Sequence, residues 1–166
     1  MSCVQEDLSK ELMTRVNEPE TMKQLLLNGA DINYQSETGW CVLFEMIMAD
    51  KVALVRDFHR KGMHLVMKDN KTRTGLFWTL HHHQEEMLHA LLSLGYDANE
   101  EVVSGLSALH YASYQDNVSM VEALLQAGAN PEHTDNYGNT AMAYAKHYGK
   151  EESYAFLQGY VKEHSK

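Results

Sequence analysis

Residues 104–136 read SGLSALHYASYQDNVSMVEALLQAGANPEHTDN, and the fold is decided in this stretch. Ser107 stands just ahead of an apolar segment, Leu109 to Ala112. It occupies the place of a helix N-cap, where a hydroxyl accepts an orphan backbone N–H of the first turn. Asp116-Asn117 interrupts that helix, after which Val118, Val121, Leu124 and Leu125 recur at helical spacing. Gly128 supplies the left-handed residue that ends the second helix, and Asn130-Pro131 starts a turn. The spacing predicts a helix–turn–helix followed by an extended loop. Its apolar surface is too small for a domain, so the unit needs neighbours.

The neighbours are copies of it. Glycines fall at 29, 62, 95 and 128, each 33 residues after the last. Their surroundings agree: Leu25-Leu26-Leu27-Asn28-Gly29-Ala30-Asp31, Leu91-Leu92-Ser93-Leu94-Gly95-Tyr96-Asp97 and Leu124-Leu125-Gln126-Ala127-Gly128-Ala129-Asn130. At the same period Leu43, Leu76, Leu109 and Met142 open first helices, while Phe58, Leu91, Leu124 and Leu157 line second helices. A fixed period of this length is the mark of a stacked repeat.

These residues resemble the ankyrin-repeat family, whose unit runs roughly G-x-T-P-L-H-x-A-A, a turn, then V-x-x-L-L-x-x-G-A-D-x-N. Gly105–Ala112 (GLSALHYA), Glu122–Asn130 (EALLQAGAN), Leu25–Asn33 (LLLNGADIN) and Gly138–Ala145 (GNTAMAYA) carry the likeness, which covers Met22 to about Leu157. The departures are specific. The proline that starts the family's first helix is Val42, Gly75, Ala108 and Ala141 here, and the TPLH histidine is kept only as His110, with Phe44, Phe77 and Ala143 in the other copies. A glycine at a helix start costs up to ~1 kcal/mol against alanine, so the unit with Gly75 is expected to be the softest.

The resemblance implies an all-α solenoid of about five helix pairs with projecting β-turn fingers. One domain over 1–166 is expected, with an amino-terminal cap unit over 5–37 (helices Gln5–Val16 and Thr21–Leu27), full repeats over 38–70, 71–103 and 104–136, and a closing unit over 137–166.

Composition narrows the function. The chain has 166 residues, 44% of them hydrophobic and 22% charged, with a formal charge of −9 and dispersed basic residues. Nucleic-acid and anionic-membrane partners are disfavoured, because phosphate binding needs clustered Lys and Arg. The negative field favours a protein partner with a basic surface. No apolar run approaches the ~18 residues of a membrane span, and Met1–Lys10 lacks the apolar core of a secretory signal. Cys3 and Cys41 are too few for a disulfide framework. A cytoplasmic monomer is expected.

No catalytic pattern stands out. Ser107, His110 and Asp116 have the residue types of a triad, but Ser107 is a cap and His110 belongs to the repeat's packing. Phosphate-loop, CxxC and HExxH motifs are missing. His81-His82-His83 invites a metal reading, yet adjacent helical residues point about 100° apart and cannot converge on one ion. No enzyme, cofactor or metal is expected. The alternative from another class is a metal- or ligand-binding protein using His81, His82, His110 and His147, and groove histidines also predict sensitivity near the imidazole pKa.

The informative pattern comes from overlaying the units. One column holds Glu45, Trp78, Tyr111 and Tyr144; the third residue on is Met48, His81, Tyr114 and His147; the next is Ala49, His82, Gln115 and Tyr148. In the family these columns lie on inner helices facing a concave groove, so the resemblance implies an aromatic ladder. Trp40 is expected at an exposed tip of the first finger, Arg73 on the second and Tyr137 on the fourth, and Met48, Met63 and Met67 as exposed contacts. The predicted function is non-enzymatic binding of a protein partner through groove and fingers. Inhibitor or immunity-type regulator of an enzyme or toxin is the favoured role, and secreted bacterial effector the alternative. The partner-binding set is Trp40, Glu45, Met48, Arg73, Trp78, His81, His82, Tyr111, Tyr114, Gln115, Tyr137, Tyr144, His147 and Tyr148.

Overall fold

A computed structural model describes residues 2–164. Within them the chain forms helix pairs in regular succession: α1 (Cys3–Thr14) with α2 (Pro19–Leu27), α3 (Val42–Met48) with α4 (Val52–Arg60), and α5 (Gly75–His81) with α6 (Glu85–Ser93). A small hairpin, β1 (Glu101–Val103) and β2 (Leu106–Ser107), precedes α7 (Ala108–Tyr114) and α8 (Val118–Gln126), and α9 (Ala141–His147) with α10 (Glu151–His164) follows. The short helices α3, α5, α7 and α9 pack side by side in one layer, and the longer helices α4, α6, α8 and α10 form a second. The expected solenoid of helix pairs is present.

Local chemistry explains each pair. Thr74, Ser107 and Thr140 lie in one column and cap α5, α7 and α9, each hydroxyl accepting the N–H of the residue three along. Cys41 takes that column in the earlier unit without capping. It is buried, and burial pushes its thiol up to about 11, so it serves as a small core residue. The turn inside each pair uses a left-handed residue at the same period: Asp50, His83, Asp116 and Gly149, with φ of 52°, 54°, 59° and 64°. Pro19 starts α2, where its missing N–H costs no helical bond.

The core runs the length of the stack, from Leu12 and Met22 through Phe44, Phe58, Leu76, Leu91, Leu109 and Leu124 to Leu157. Met63 belongs to it at 2% exposure and Met67 packs against it. This corrects the expectation that both are contact residues, since a flexible thioether fills the irregular space beneath a loop. Gly75 has a packing role: a methyl group there would lie 3.0 Å from Ile47 Cδ1 and 3.3 Å from Leu43 Cδ2. The absent side chain lets α5 approach α3 closely.

The fingers stack through polar contacts. Asn70 reaches the Glu37 carbonyl at 2.7 Å, and Gln35 the Lys68 carbonyl at 3.0 Å. Farther from the short helices, Asn33 donates to the Gly62 carbonyl and accepts from the His64 N–H, and Asn99 treats Gly128 and Asn130 the same way. Between these two positions of the column stands Val66, which has nothing to bridge with. Among the described residues no helix is long and apolar enough to cross a membrane.

Candidate functional site

The rings form a connected row, but the expected rungs Trp78, Tyr111 and Tyr144 do not touch one another: Phe77 links the first two and Tyr114 the last two. Trp40 and Trp78 meet edge to face at 5.4 Å, Trp78 continues to Phe77 at 5.3 Å, and Phe77 meets Tyr111 at 4.9 Å. Tyr111 lies 6.4 Å from Tyr114, which contacts Tyr148 at 5.0 Å, and Tyr148 in turn contacts Tyr144 at 5.0 Å and His147 at 4.9 Å. One connected row of rings thus runs from the finger before α3 across α5 and α7 to α9. Offset and edge-to-face pairs of this kind contribute about 0.5–1.5 kcal/mol each beyond area burial, so these contacts favour the row in the chain on its own.

Each rung is fixed by neighbours. Arg73 lays its guanidinium over the Trp78 ring at 4.3 Å and is itself clamped by Asp69, whose Oδ2 accepts from Nε and Nη2, both at 2.7 Å. Burial acts upward on the Asp69 carboxyl, but the Arg73 guanidinium and the backbone N–H groups of Arg73 and Lys71 outweigh it and hold its pKa low. His82 stacks on the other side of the cluster, 6.1 Å from Trp78 and 15° from parallel. His81 Nδ1 is hydrogen-bonded to the Tyr111 hydroxyl at 2.9 Å. Desolvation lowers the His81 pKa, with His82, His83 and Arg73 adding repulsion, and burial raises that of Tyr111, so both are neutral at pH 7.

The predicted residues divide by exposure. Tyr137 is 90% exposed, Tyr148 47%, Met48 44% and Tyr114 42%. His81, His82 and His147 are also open to solvent, whereas Glu45, Arg73, Trp78, Tyr111, Gln115 and Tyr144 are half-buried. Trp40 is the correction. It is half-buried, with its indole N–H donating to Glu45 Oε1 at 2.7 Å and its ring 5.2 Å from Phe44. Folding the indole onto α3 buries apolar area that a finger tip would leave wet. Met48 has no ring contact in this row.

The histidines do not converge on an ion. His81 goes to Tyr111, His82 to Trp78, and His83 to Asn117 at 3.3 Å. His110 is buried inside the repeat: its Nδ1 lies 2.7 Å from Ser107 Oγ and its Nε2 2.9 Å from the Asn139 carbonyl. A carbonyl only accepts, so Nε2 carries the proton and Nδ1 accepts from the serine hydroxyl. Among the described residues no group of metal-ligating side chains has the geometry to hold an ion.

Phe77 was missed as a rung. Its column contains the family histidine and reads as core, yet Phe77 links His81, Trp78 and Tyr111. The departure from histidine in that column was the signal. Lys150, 5.3 Å above the Tyr114 ring, had none.

A family model for ankyrin repeats, in three copies, matches residues 76–164, more than half of the chain. The chain belongs to the ankyrin-repeat family. It is 30% identical over 131 residues to neurogenic locus notch homolog protein 2 of Homo sapiens, covering 78% of this chain and 5% of that protein. It is 27% identical over 137 residues to the mitochondrial disaggregase of Bos taurus, covering 80% and 20%. Ankyrin repeat and SOCS box protein 3 of Homo sapiens is 45% identical over 49 residues, 30% of this chain and 10% of that one. The chain therefore spans a fifth or less of these relatives. Ankyrin repeats are protein–protein interaction modules and are generally non-enzymatic.

Proposed function

We propose that the chain docks a protein partner against the face built by α3, α5, α7, α9 and the fingers, with the Trp40–Trp78–Phe77–Tyr111–Tyr114–Tyr148–Tyr144 row as the hot spot. The single observation that carries this is the continuity of the row, whose rings contact one another from the first finger across the three helices α5, α7 and α9. Core packing accounts for one or two such rings. It does not account for Tyr114, Tyr148 and Met48 on the same face with more than two fifths of their surface open. Tyr, Trp and Arg dominate binding hot spots, and a preformed row loses little ordering entropy on association.

The finer role we assign is an inhibitor or immunity-type regulator acting as a monomer on an enzyme or toxin with a basic surface. The charge of −9 supports it, since opposite fields speed encounter between such partners. The test compares wild type with a Trp78→Ala, Tyr111→Ala double variant as bait, after circular dichroism shows that both are folded. The partner retained by wild type is expected to bind the variant at least about a hundredfold more weakly. Undiminished affinity would sink the groove reading, and a captured enzyme whose activity the chain leaves unchanged would sink the inhibitor role.

A further inference from the structure

The fourth finger repeats the architecture of the second, with one side chain taken away. In the second finger Asp69 Oδ1 accepts the N–H groups of Lys71 (2.8 Å) and Arg73 (3.0 Å), which leaves Oδ2 for the Arg73 guanidinium lying over Trp78. At positions 66 residues later, Asp135 Oδ1 accepts the N–H groups of Tyr137 (2.8 Å) and Asn139 (2.9 Å). Backbone bonds match too: Asp69 N–H goes to Arg73 O at 3.0 Å, and Asp135 N–H to Asn139 O at 2.9 Å. Both aspartates are buried, and both carboxyls are held low in pKa because these N–H groups and their neighbours outweigh the upward effect of burial.

The difference lies in what fills the space. Tyr144 stands where Trp78 does, Tyr148 where His82 does and Tyr137 where Lys71 does, so the aromatic walls are kept or extended. Arg73 has become Asn139, whose amide reaches Oδ2 only at 3.4 Å, and Phe77 has become Ala143. The result is a pocket of about 250 Å³ lined by Asp135, Asn139, Tyr137, Tyr144, His147 and Tyr148. The nearby lysines point elsewhere: Lys146 lies over Tyr154 and Lys150 over Tyr114.

We propose that this pocket receives an arginine side chain of the protein partner, its guanidinium paired with Asp135 and stacked on Tyr144 and Tyr148. The chain shows the mode of binding on itself, since Arg73, Asp69 and Trp78 make the same constellation. A planar guanidinium suits it better than an ammonium, because one group both donates through two nitrogens to the carboxylate and lies flat on a ring. The occupant also matches the field of a chain with net charge −9. This deepens the docking function proposed above and rests on it for the identity of the arginine's owner, but the pocket itself is testable alone.

The experiment titrates N-acetyl-arginine amide and its neutral isostere N-acetyl-citrulline amide into the full chain, followed by backbone amide NMR. Saturable shifts confined to residues 135–148 are expected, with arginine at least about tenfold tighter than citrulline. Asn139→Arg is expected to abolish the response, because the chain then supplies its own guanidinium as Arg73 does. Tyr148→Leu, an exposed position that leaves the finger intact, is expected to weaken binding about fivefold. Equal binding of citrulline, shifts centred outside the pocket, or a wild-type response from Asn139→Arg would overturn the proposal. A partner that binds Asn139→Arg as tightly as wild type, yet loses affinity with Trp78→Ala and Tyr111→Ala, would refute the arginine pocket while leaving the groove function standing.

Discussion

The units Lys71–Val103 and Ser104–Asn136 share a helix-pair plan, and of the buried positions at which they differ the column of Phe77 and His110 has the largest consequence. In the second unit His110 joins the cap serine to the carbonyl of Asn139 and so ties its helix to the next finger. In the first unit Phe77 can do neither. Its ring instead joins His81, Trp78 and Tyr111, and the finger that would have been tied forms its own hairpin, β1 with β2, around Ser104-Gly105. Both turn residues have positive φ, 41° and 83°, as a tight hairpin requires. The other fingers have single bridges at the corresponding places, Gln35 with Cys41, Lys68 with Thr74 and Thr134 with Thr140. The regular unit thus uses the position to hold the stack together, and the divergent unit uses it to build the aromatic face.

Exchanging the two residues breaks the comparison most directly. His110→Phe keeps the shape that Phe44 and Phe77 already take in this column, but takes the acceptor from the buried Ser107 hydroxyl and leaves the Asn139 carbonyl only the Asp135 N–H. A loss of about 2–3 kcal/mol is expected, read as a lower urea midpoint with an unchanged slope. A loss within about 0.5 kcal/mol of zero would show that the histidine network is dispensable. The reverse change, Phe77→His, is expected to alter stability by less than about 1.5 kcal/mol and to weaken partner binding about tenfold, because the ring contacts through Tyr111 are lost. Retained affinity in a binding titration would remove Phe77 from the row.

The smallest effect concerns pH. Burial pulls the His110 pKa below its ordinary value, so the unfolded chain takes up the proton more readily than the folded one. Stability is then complete above about pH 6.5 and falls as the pH drops below it. Desolvation acts on His81 in the same direction. Urea midpoints at about pH 5.5 and about pH 7.5 are expected to differ in wild type and to differ less in His110→Phe. Equal differences in the two proteins would assign the slope to other groups.

Much of this was legible in the chain. The 33-residue column of glycines, the caps Thr74, Ser107 and Thr140, and the breakers Asp50 and Asp116 are local signals. Each acts through its own backbone, so each can be read one residue at a time. The ladder was legible only by overlay, as a column. What stayed hidden depends on pairs of columns. Trp40 was placed at a finger tip because nothing along the chain shows Glu45 and Phe44 turning to receive it. Met63 looked free because its place in the core depends on packing between elements. Gly75 looked like a helix weakener because Ile47 and Leu43 lie in another unit. Asp135 resembled an ordinary finger residue until its bonds were set beside those of Asp69.

Val66 has a mechanical meaning. Asn33 and Asn99 clamp the outer edges of their joints, while the joint between residues 38–70 and 71–103 has a valine at that place and an open groove along Met63, His64, Val66 and Tyr96. Its inner edge is pinned by Gln84 on the Ile47 carbonyl at 2.7 Å and by the close seat of Gly75. Its long helices are linked by Arg56 Nη1 on Ser93 Oγ at 3.3 Å, in place of the asparagine clamp of the neighbouring joints. Trp40 and Trp78 meet edge to face across that joint, so its packing sets the spacing of the first two rings of the aromatic face.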